Sequence, residues 1–318
     1  MDINDFVLAF FLEIKMENAT QPEKKKRFFL KDKQVGILLL VPAIAILATL
    51  SLYPFFFTIY LSVHDYFLLQ PWIPKAFIGL KNYIQAFFDP LFWNSLSVTL
   101  RYAFIVVVIE FFLGLCLALL VNMNIKGRNI FTSLLLAPII MSPIVSGLIW
   151  GYLYNPEFGV INFFLNKIFG IKDIVFLGDT RYAFTACMIV DIWQWTPYMF
   201  LILLAGLQAI PTEPYEAAQI DGASSVQTFW YLTLPLISPL ILISLLLRTI
   251  DACKIFDTIY VLTGGGPASV TESLSLYAYR NNFVYFNMGY GAVLAFILLL
   301  IVTIFCLLFN RMLARKEI

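Results

Sequence analysis

Residues 292–309 read AVLAFILLLIVTIFCLLF, eighteen positions with no charge and no polar–apolar alternation. A helix needs about 20 apolar residues to cross a bilayer core. Only helices and closed barrels can span it, because each backbone polar group must be satisfied without water. Barrel strands are shorter and alternate; this run does neither, and nor does GILLLVPAIAILATLSL at 36–52. Working outward, six stretches have spanning character, at 35–63, 95–122, 130–153, 182–208, 233–256 and 288–310. The fifth carries Arg248, Asp251 and Lys254; the others are nearly free of charge. The expected fold is an all-α membrane protein with six transmembrane helices.

Composition agrees. Of 318 residues, 61% are hydrophobic and 13% charged, against about 45–50% and about 25% in soluble domains. The mean hydropathy is +0.85. Soluble globular and disordered classes are excluded. A net charge of +1 gives no nucleic-acid footprint. Cys116, Cys187, Cys253 and Cys306 lie inside apolar runs and read as small buried hydrophobes, not as a disulfide framework or a metal cluster. The single histidine, His64, supports neither a metal site nor a Ser–His–Asp set, and reads as an interfacial side chain. No G-x-x-x-x-G-K-[ST] loop is present, so the chain is not expected to be an enzyme or to hold a cofactor. Gly264-Gly265-Gly266-Pro267 has no following Lys-Ser/Thr and reads as a tight turn. Pro42, Pro54, Pro138, Pro143, Pro197 and Pro239 fall in the spans. Such bends suit a bundle around a cavity, although proline is common in membrane helices in any case.

Orientation follows from Lys and Arg in the loops. With the N-terminus inside, the inside segments hold twelve and the outside loops six, which places both termini in the cytoplasm. Ile3, Phe6, Val7, Phe10, Phe11 and Ile14 recur at helical spacing before a basic cluster. They form either an amphipathic helix against anionic lipid or a stretch preceding a true start at Met16. Residues 1–33 are accordingly set apart as a cytoplasmic extension, and 34–318 as the membrane domain.

The loop at 210–235, IPTEPYEAAQIDGASSVQTFWYLTLP, falls on the cytoplasmic side yet holds Glu213, Glu216 and Asp221 and no basic residue. That reverses the usual trend. It reads as a short helix with acids at its positive end, a break at Gly222 where a positive φ is needed, and a second helix entering the membrane. Ala217 and Ala218 leave room for another surface. Either this elbow docks a cytosolic partner, or it is an ordinary connector holding two short helices.

These residues carry a resemblance. Glu216-Ala217-Ala218, Asp221-Gly222-Ala223, Phe229 and Leu234-Pro235, at full spacing, resemble the EAA loop of binding-protein-dependent ABC importer permeases. FIGLKNY at 77–83, WTPY at 195–198, AGLQ at 205–208 and FDTIYVLTGGGP at 256–267 are similar to the carbohydrate-uptake branch, and in particular to the larger permease subunit of maltose-type transporters. The resemblance starts at about residue 34. It implies a type I permease-like bundle, a second permease subunit, two ATP-binding subunits that hold ATP and Mg, and an extracytoplasmic solute-binding protein delivering a carbohydrate. Glu216, Ala217, Ala218, Asp221, Gly222 and Ala223 would couple the chain to the ATPase.

Polar groups at membrane depth are costly and usually face the bundle interior. Asp191, Gln194, Trp195 and Tyr198 share one helical face, at i, i+3, i+4 and i+7. Carboxylate and amide groups can bond hydroxyls, and aromatic faces can stack on a sugar ring; these positions also match those lining the family's sugar site. Asp191 and Trp195 depart from it and imply a different ligand or binding mode. Arg248 and Asp251, three apart, either join that site or pair with each other. Two alternatives stand beside a sugar: a polyol or glycerol phosphate, for which Arg248 speaks, and an ion-coupled secondary transporter with Asp191 and Asp251 carrying protons.

Overall fold

The computed structural model describes residues 32–70, 72, 75–123, 127–171 and 174–314. The N-terminal amphipathic stretch and its basic cluster lie outside these residues. The chain divides between Phe55 and Phe56 into two units, each described by itself. In the first, α1 (Asp32–Leu47) keeps Pro42 within the helix and leads into a π-helical turn, Ala48–Leu52. The next helix, α2 (Tyr53–Ser62), begins at the end of that turn.

The second unit opens on a small antiparallel pair, β1 (His64–Asp65) and β2 (Ala76–Phe77), with His64 opposite Phe77. The segment at 77–83 locks this loop. Asn82, in α3 (Lys81–Phe88), donates to the carbonyls of Ser62 and His64 at 3.1 and 3.0 Å, and the Tyr83 hydroxyl donates to Ser62 Oγ at 2.8 Å. His64, two residues beyond the end of the apolar helix at Ser62, is buried and stacked on Tyr60 with ring centres 4.0 Å apart.

The longest helix, α4 (Pro90–Asn122), starts with proline at its first position and Asp89 as N-cap, the arrangement that suits a helix start. Asp89 accepts from Leu91 N–H at 2.8 Å and from the hydroxyls of Tyr277 and Tyr290 at 2.5 and 2.6 Å. Burial alone would raise its carboxyl; these donors outweigh burial and hold it below its usual range.

The expected third span does not cross as one rod. It forms α5 (Arg128–Ile140) and α6 (Pro143–Leu153), bent by 99° to each other. The ring of Pro143 excludes the residue before it from helical geometry. Ser142 and Met141 are both extended, with ψ of 141° and 142°. Pro138 stays inside α5, so it is Pro143 that breaks the span. Among the described residues, five helices are long and apolar enough to cross a membrane, and six crossings result if the bent pair counts as one.

Beyond it lies a short amphipathic helix, α7 (Val160–Phe169), then α8 (Ala183–Gln208). The elbow supplies α9 (Glu213–Ile220), α10 (Ser225–Thr228) and a π-helical turn, Phe229–Thr233. The chain continues through α11 (Leu234–Cys253), α12 (Asp257–Leu262), α13 (Leu274–Tyr279), another π-helical turn, Arg280–Val284, and α14 (Met288–Ala314).

Helices α4 and α8 form the spine. A Cβ on Gly114 would stand 2.6 Å from Met199 Cβ and 2.9 Å from Phe200 N, so the backbones approach as only glycine allows. One core layer gathers Tyr102, Val106, Met199, Cys253 and Ile259; another gathers Leu115, Ala118, Phe200, Leu203 and Ile237. Large apolar side chains such as Phe104, Phe112, Ile304 and Leu307 face outward. Glu110, Asp191 and Arg248 are buried while these apolar groups are exposed, the distribution expected when the solvent is hydrocarbon.

Candidate functional site

Three helices bring one charge each to the middle of the second unit. Glu110 comes from α4, Asp191 from α8 and Arg248 from α11. Arg248 donates to Glu110 through two nitrogens, Nε to Oε2 at 2.7 Å and Nη2 to Oε1 at 2.9 Å. Nη2 also donates to Asp191 Oδ2. All three side chains are at most 2% exposed. The guanidinium carbon lies 5.1 Å from the centre of the Trp195 ring, within cation–π range.

Of the two alternatives for Arg248 and Asp251, the network sets aside their pairing with each other. Asp251 is half-exposed and meets Lys254 at 3.3 Å. The spacing permits an i, i+3 pair but does not select it. Two buried carboxylates without a cation would cost several kcal/mol each, and Arg248 is the cation within reach. Glu110 was missed by sequence reasoning. The signal was the lone carboxylate of the second span, nine residues from the only basic side chain of that span, Arg101.

Beside the network lies a cavity of about 250 Å³, lined by Asp191, Trp195, Arg248, Asp251, Lys254 and Asp257 among others. The four-residue face of α8 is thus divided. Asp191 and Trp195 border the cavity. Gln194 turns to the break between α5 and α6, where its amide donates to the Met141 carbonyl at 2.9 Å; the bend freed that carbonyl from helical bonding. Tyr198 is half-buried and packs edge-on to Trp195, ring centres 6.2 Å apart.

The elbow forms as helix, turn, helix. Glu213 and Glu216 occupy the first turn of α9. Gly222 has φ +74°, and nothing lies within 4 Å of where its Cβ would be. Ser224 and Gln227 build a capping box at the start of α10, satisfying two helix-end donors reciprocally. Tyr215 Oη and Thr233 Oγ1, 3.1 Å apart, tie the two arms together. Glu216, Ala217 and Asp221 are exposed, and Ala218 and Ala223 half-buried. Ala218, Asp221, Gly222, Ala223 and Tyr231 line an open hollow of about 340 Å³. Ile220 is 86% exposed and Tyr231 83%.

The glycine run at 264–266 closes around an ion pair. Arg280 donates to Glu272 Oε2 at 2.5 Å and to the Gly264 carbonyl, while Thr271 Oγ1 donates to the Gly266 carbonyl at 2.8 Å. Burial pushes the Glu272 carboxyl up, and Arg280 only partly offsets it. The turn is filled by its own side chains and is not a phosphate cradle.

Residues 110–317 match the family described as binding-protein-dependent transport system inner membrane component. The chain is 40% identical over 287 residues to a trehalose/maltose transport system permease protein of Thermococcus litoralis, covering 88% of this chain and 95% of that protein. It is 35% identical over 285 residues to a sulfoquinovosyl glycerol transport system permease protein of Agrobacterium fabrum, covering 90% and 92%. It is 33% identical over 233 residues to an sn-glycerol-3-phosphate transport system permease protein of the same organism, covering 72% and 78%. The fold is similar to that in the crystal structure of a bacterial ABC transporter involved in the import of the acidic polysaccharide alginate, with a TM-score of 0.77 at 22% identity over 88% of this chain and 95% of that one. With its apolar crossings, its elbow and its match over most of the chain, the protein belongs to the family of inner membrane components of binding-protein-dependent transport systems.

Proposed function

We propose that this chain is one half of a heterodimeric permease that imports a carbohydrate. An extracytoplasmic solute-binding protein delivers the ligand, and two ATP-binding subunits drive its passage. The observation that carries the reading is the cavity between α8 and α11. It sits among spanning helices and combines an aromatic wall, Trp195, with hydrogen-bonding groups at Asp191 and Asp251. Polyhydroxylated rings suit such a lining, with hydroxyls to the polar groups and ring C–H faces to the indole. The relatives named for trehalose and maltose support the same substrate class.

The elbow is the proposed handle. Glu216, Ala217, Ala218, Asp221, Gly222 and Ala223 present a carboxylate, small residues and a turn to an ATP-binding subunit, with both termini on the same cytoplasmic side. ATP and Mg belong to that partner, since this sequence has no phosphate-binding lysine loop. Transport proceeds by alternating access.

The test is uptake by the whole complex in proteoliposomes. Trp195→Ala should reduce ATP-driven sugar uptake by about tenfold or more, the loss of one stacking contact and its packing, while the subunits still co-purify. Unchanged uptake would remove the cavity from the pathway. Uptake that persists without the ATP-binding subunits would point to an ion-coupled carrier.

A further inference from the structure

The family relatives do not decide the charge of the ligand, since their names span trehalose or maltose and a glycerol phosphate. The cavity bears on it. Arginine recognises carboxylate or phosphate by presenting parallel N–H groups to two oxygens at once. Here Nε and Nη2 of Arg248 already hold both oxygens of Glu110, and Nη2 also holds Asp191. The Nε–Nη2 edge, one of those that could clamp an anionic ligand, is taken by the protein itself. The other cation of the lining, Lys254, lies against Asp251. Around the cavity and directly behind it stand two cations, Arg248 and Lys254, and four carboxylates, Glu110, Asp191, Asp251 and Asp257. Asp251, Lys254 and Asp257 are exposed; the part of the excess that is only weakly screened is the net negative charge of the buried trio Glu110, Asp191 and Arg248. An incoming phosphate, sulfonate or uronate would meet repulsion and a guanidinium whose Nε and Nη2 are already engaged. A non-ionic ring would meet hydroxyl acceptors and the Trp195 indole.

We infer that the Glu110–Arg248–Asp191 network makes this cavity select non-ionic, polyhydroxylated ligands over anionic ones, with Glu110 as the positioning residue that sets the selectivity. Glu110 is fully buried and is not among the residues bordering the cavity. It acts by occupying Arg248 and by adding one negative charge behind the wall. This inference rests on the carbohydrate reading above and narrows it.

The experiment is equilibrium binding to the purified complete complex, without the solute-binding protein so that its own preference does not enter. The probes are neutral disaccharides, maltose and trehalose, and matched anionic ones, maltobionate and trehalose 6-phosphate. The wild-type complex should prefer the neutral member of each pair by about tenfold or more. In Glu110→Gln, which keeps shape and an acceptor but drops the charge, that ratio should shrink by about tenfold. A residue that merely holds the fold would weaken both ligands alike and leave the ratio unmoved.

A wild-type complex that binds the anionic sugar as well as the neutral one overturns the inference even if Glu110→Gln fails to assemble. A folded Glu110→Gln complex with an unchanged ratio overturns the role of Glu110. Should no sugar of either charge bind, and ATP-driven sugar uptake also be absent, the carbohydrate reading is what falls.

Discussion

At the scale of single residues, burial decides how much each charge matters. Glu110 and Arg248 share two hydrogen bonds with almost no solvent contact. Removing Glu110 takes both of those bonds away and leaves Arg248 only Asp191; buried hydrogen bonds to charged groups are worth about 1.5–3 kcal/mol each. Glu110→Ala should therefore lower the thermal stability of the purified complex far more than Asp251→Ala, whose pair is half-exposed and of the kind worth about 0–1 kcal/mol. Melting curves of the two variants side by side check this. Asp89 gives a pH-dependent counterpart. Its carboxyl is held below the usual range when folded, so its contribution is fully present above the unfolded value of about 3.9 and fades as pH falls through the folded one. Stability measured from pH 7 to pH 3 should drop through that acidic window, and Asp89→Asn should flatten the drop.

At the same scale, Asp191 and Arg248 could be picked from the sequence because charged residues stand out in apolar spans. Their partnership could not. Which carboxylate an arginine meets depends on how three helices are turned about their axes, and one sequence does not record that. Glu110 escaped notice because one acid in a 33-residue helix barely alters its apolar character.

At the scale of elements, the spine depends on the missing side chain at Gly114. Any Cβ there must push α8 away at Met199 and Phe200, where backbone as well as side chain lies close. Gly114→Ala should destabilise by about 1–3 kcal/mol, the range for overpacking, read as a lowered melting temperature or reduced yield of folded complex. An unchanged melting temperature would mean that the two helices separate freely. The crossings were legible from apolar run length alone, and the helix–glycine–helix elbow from its caps and its break. The 99° bend was not legible. Pro42, Pro138, Pro197 and Pro239 remain within helices, whereas Pro143 starts a new one. The same residue type produces both outcomes, and the difference lies in whether neighbours such as Gln194 can satisfy the carbonyls that the break sets free.

For the whole molecule, the elbow and the cavity lie at the two ends of one proposed linkage. A side chain at Gly222 would meet no neighbouring atom, so its cost is the backbone strain at φ +74°, about 1–2 kcal/mol and local. Gly222→Val and Glu216→Lys should therefore insert and fold normally while ATP-driven uptake collapses. Normal uptake in both would leave the elbow a plain connector. The force that must pass through it is appreciable, since carrying a two-state equilibrium from 1:99 to 99:1 takes about 5.5 kcal/mol.

The shared guanidinium also restricts how this protein can change over generations. Glu110, Asp191 and Arg248 sit on three separate helices yet depend on one another. Loss of Arg248 leaves two carboxylates stranded away from water, and reversing the sign of either carboxylate sets two cations side by side. Lineages drifting toward a charged nutrient would have to cross by mild steps such as Glu110→Gln, or alter several codons together, so the trio should be inherited as a block.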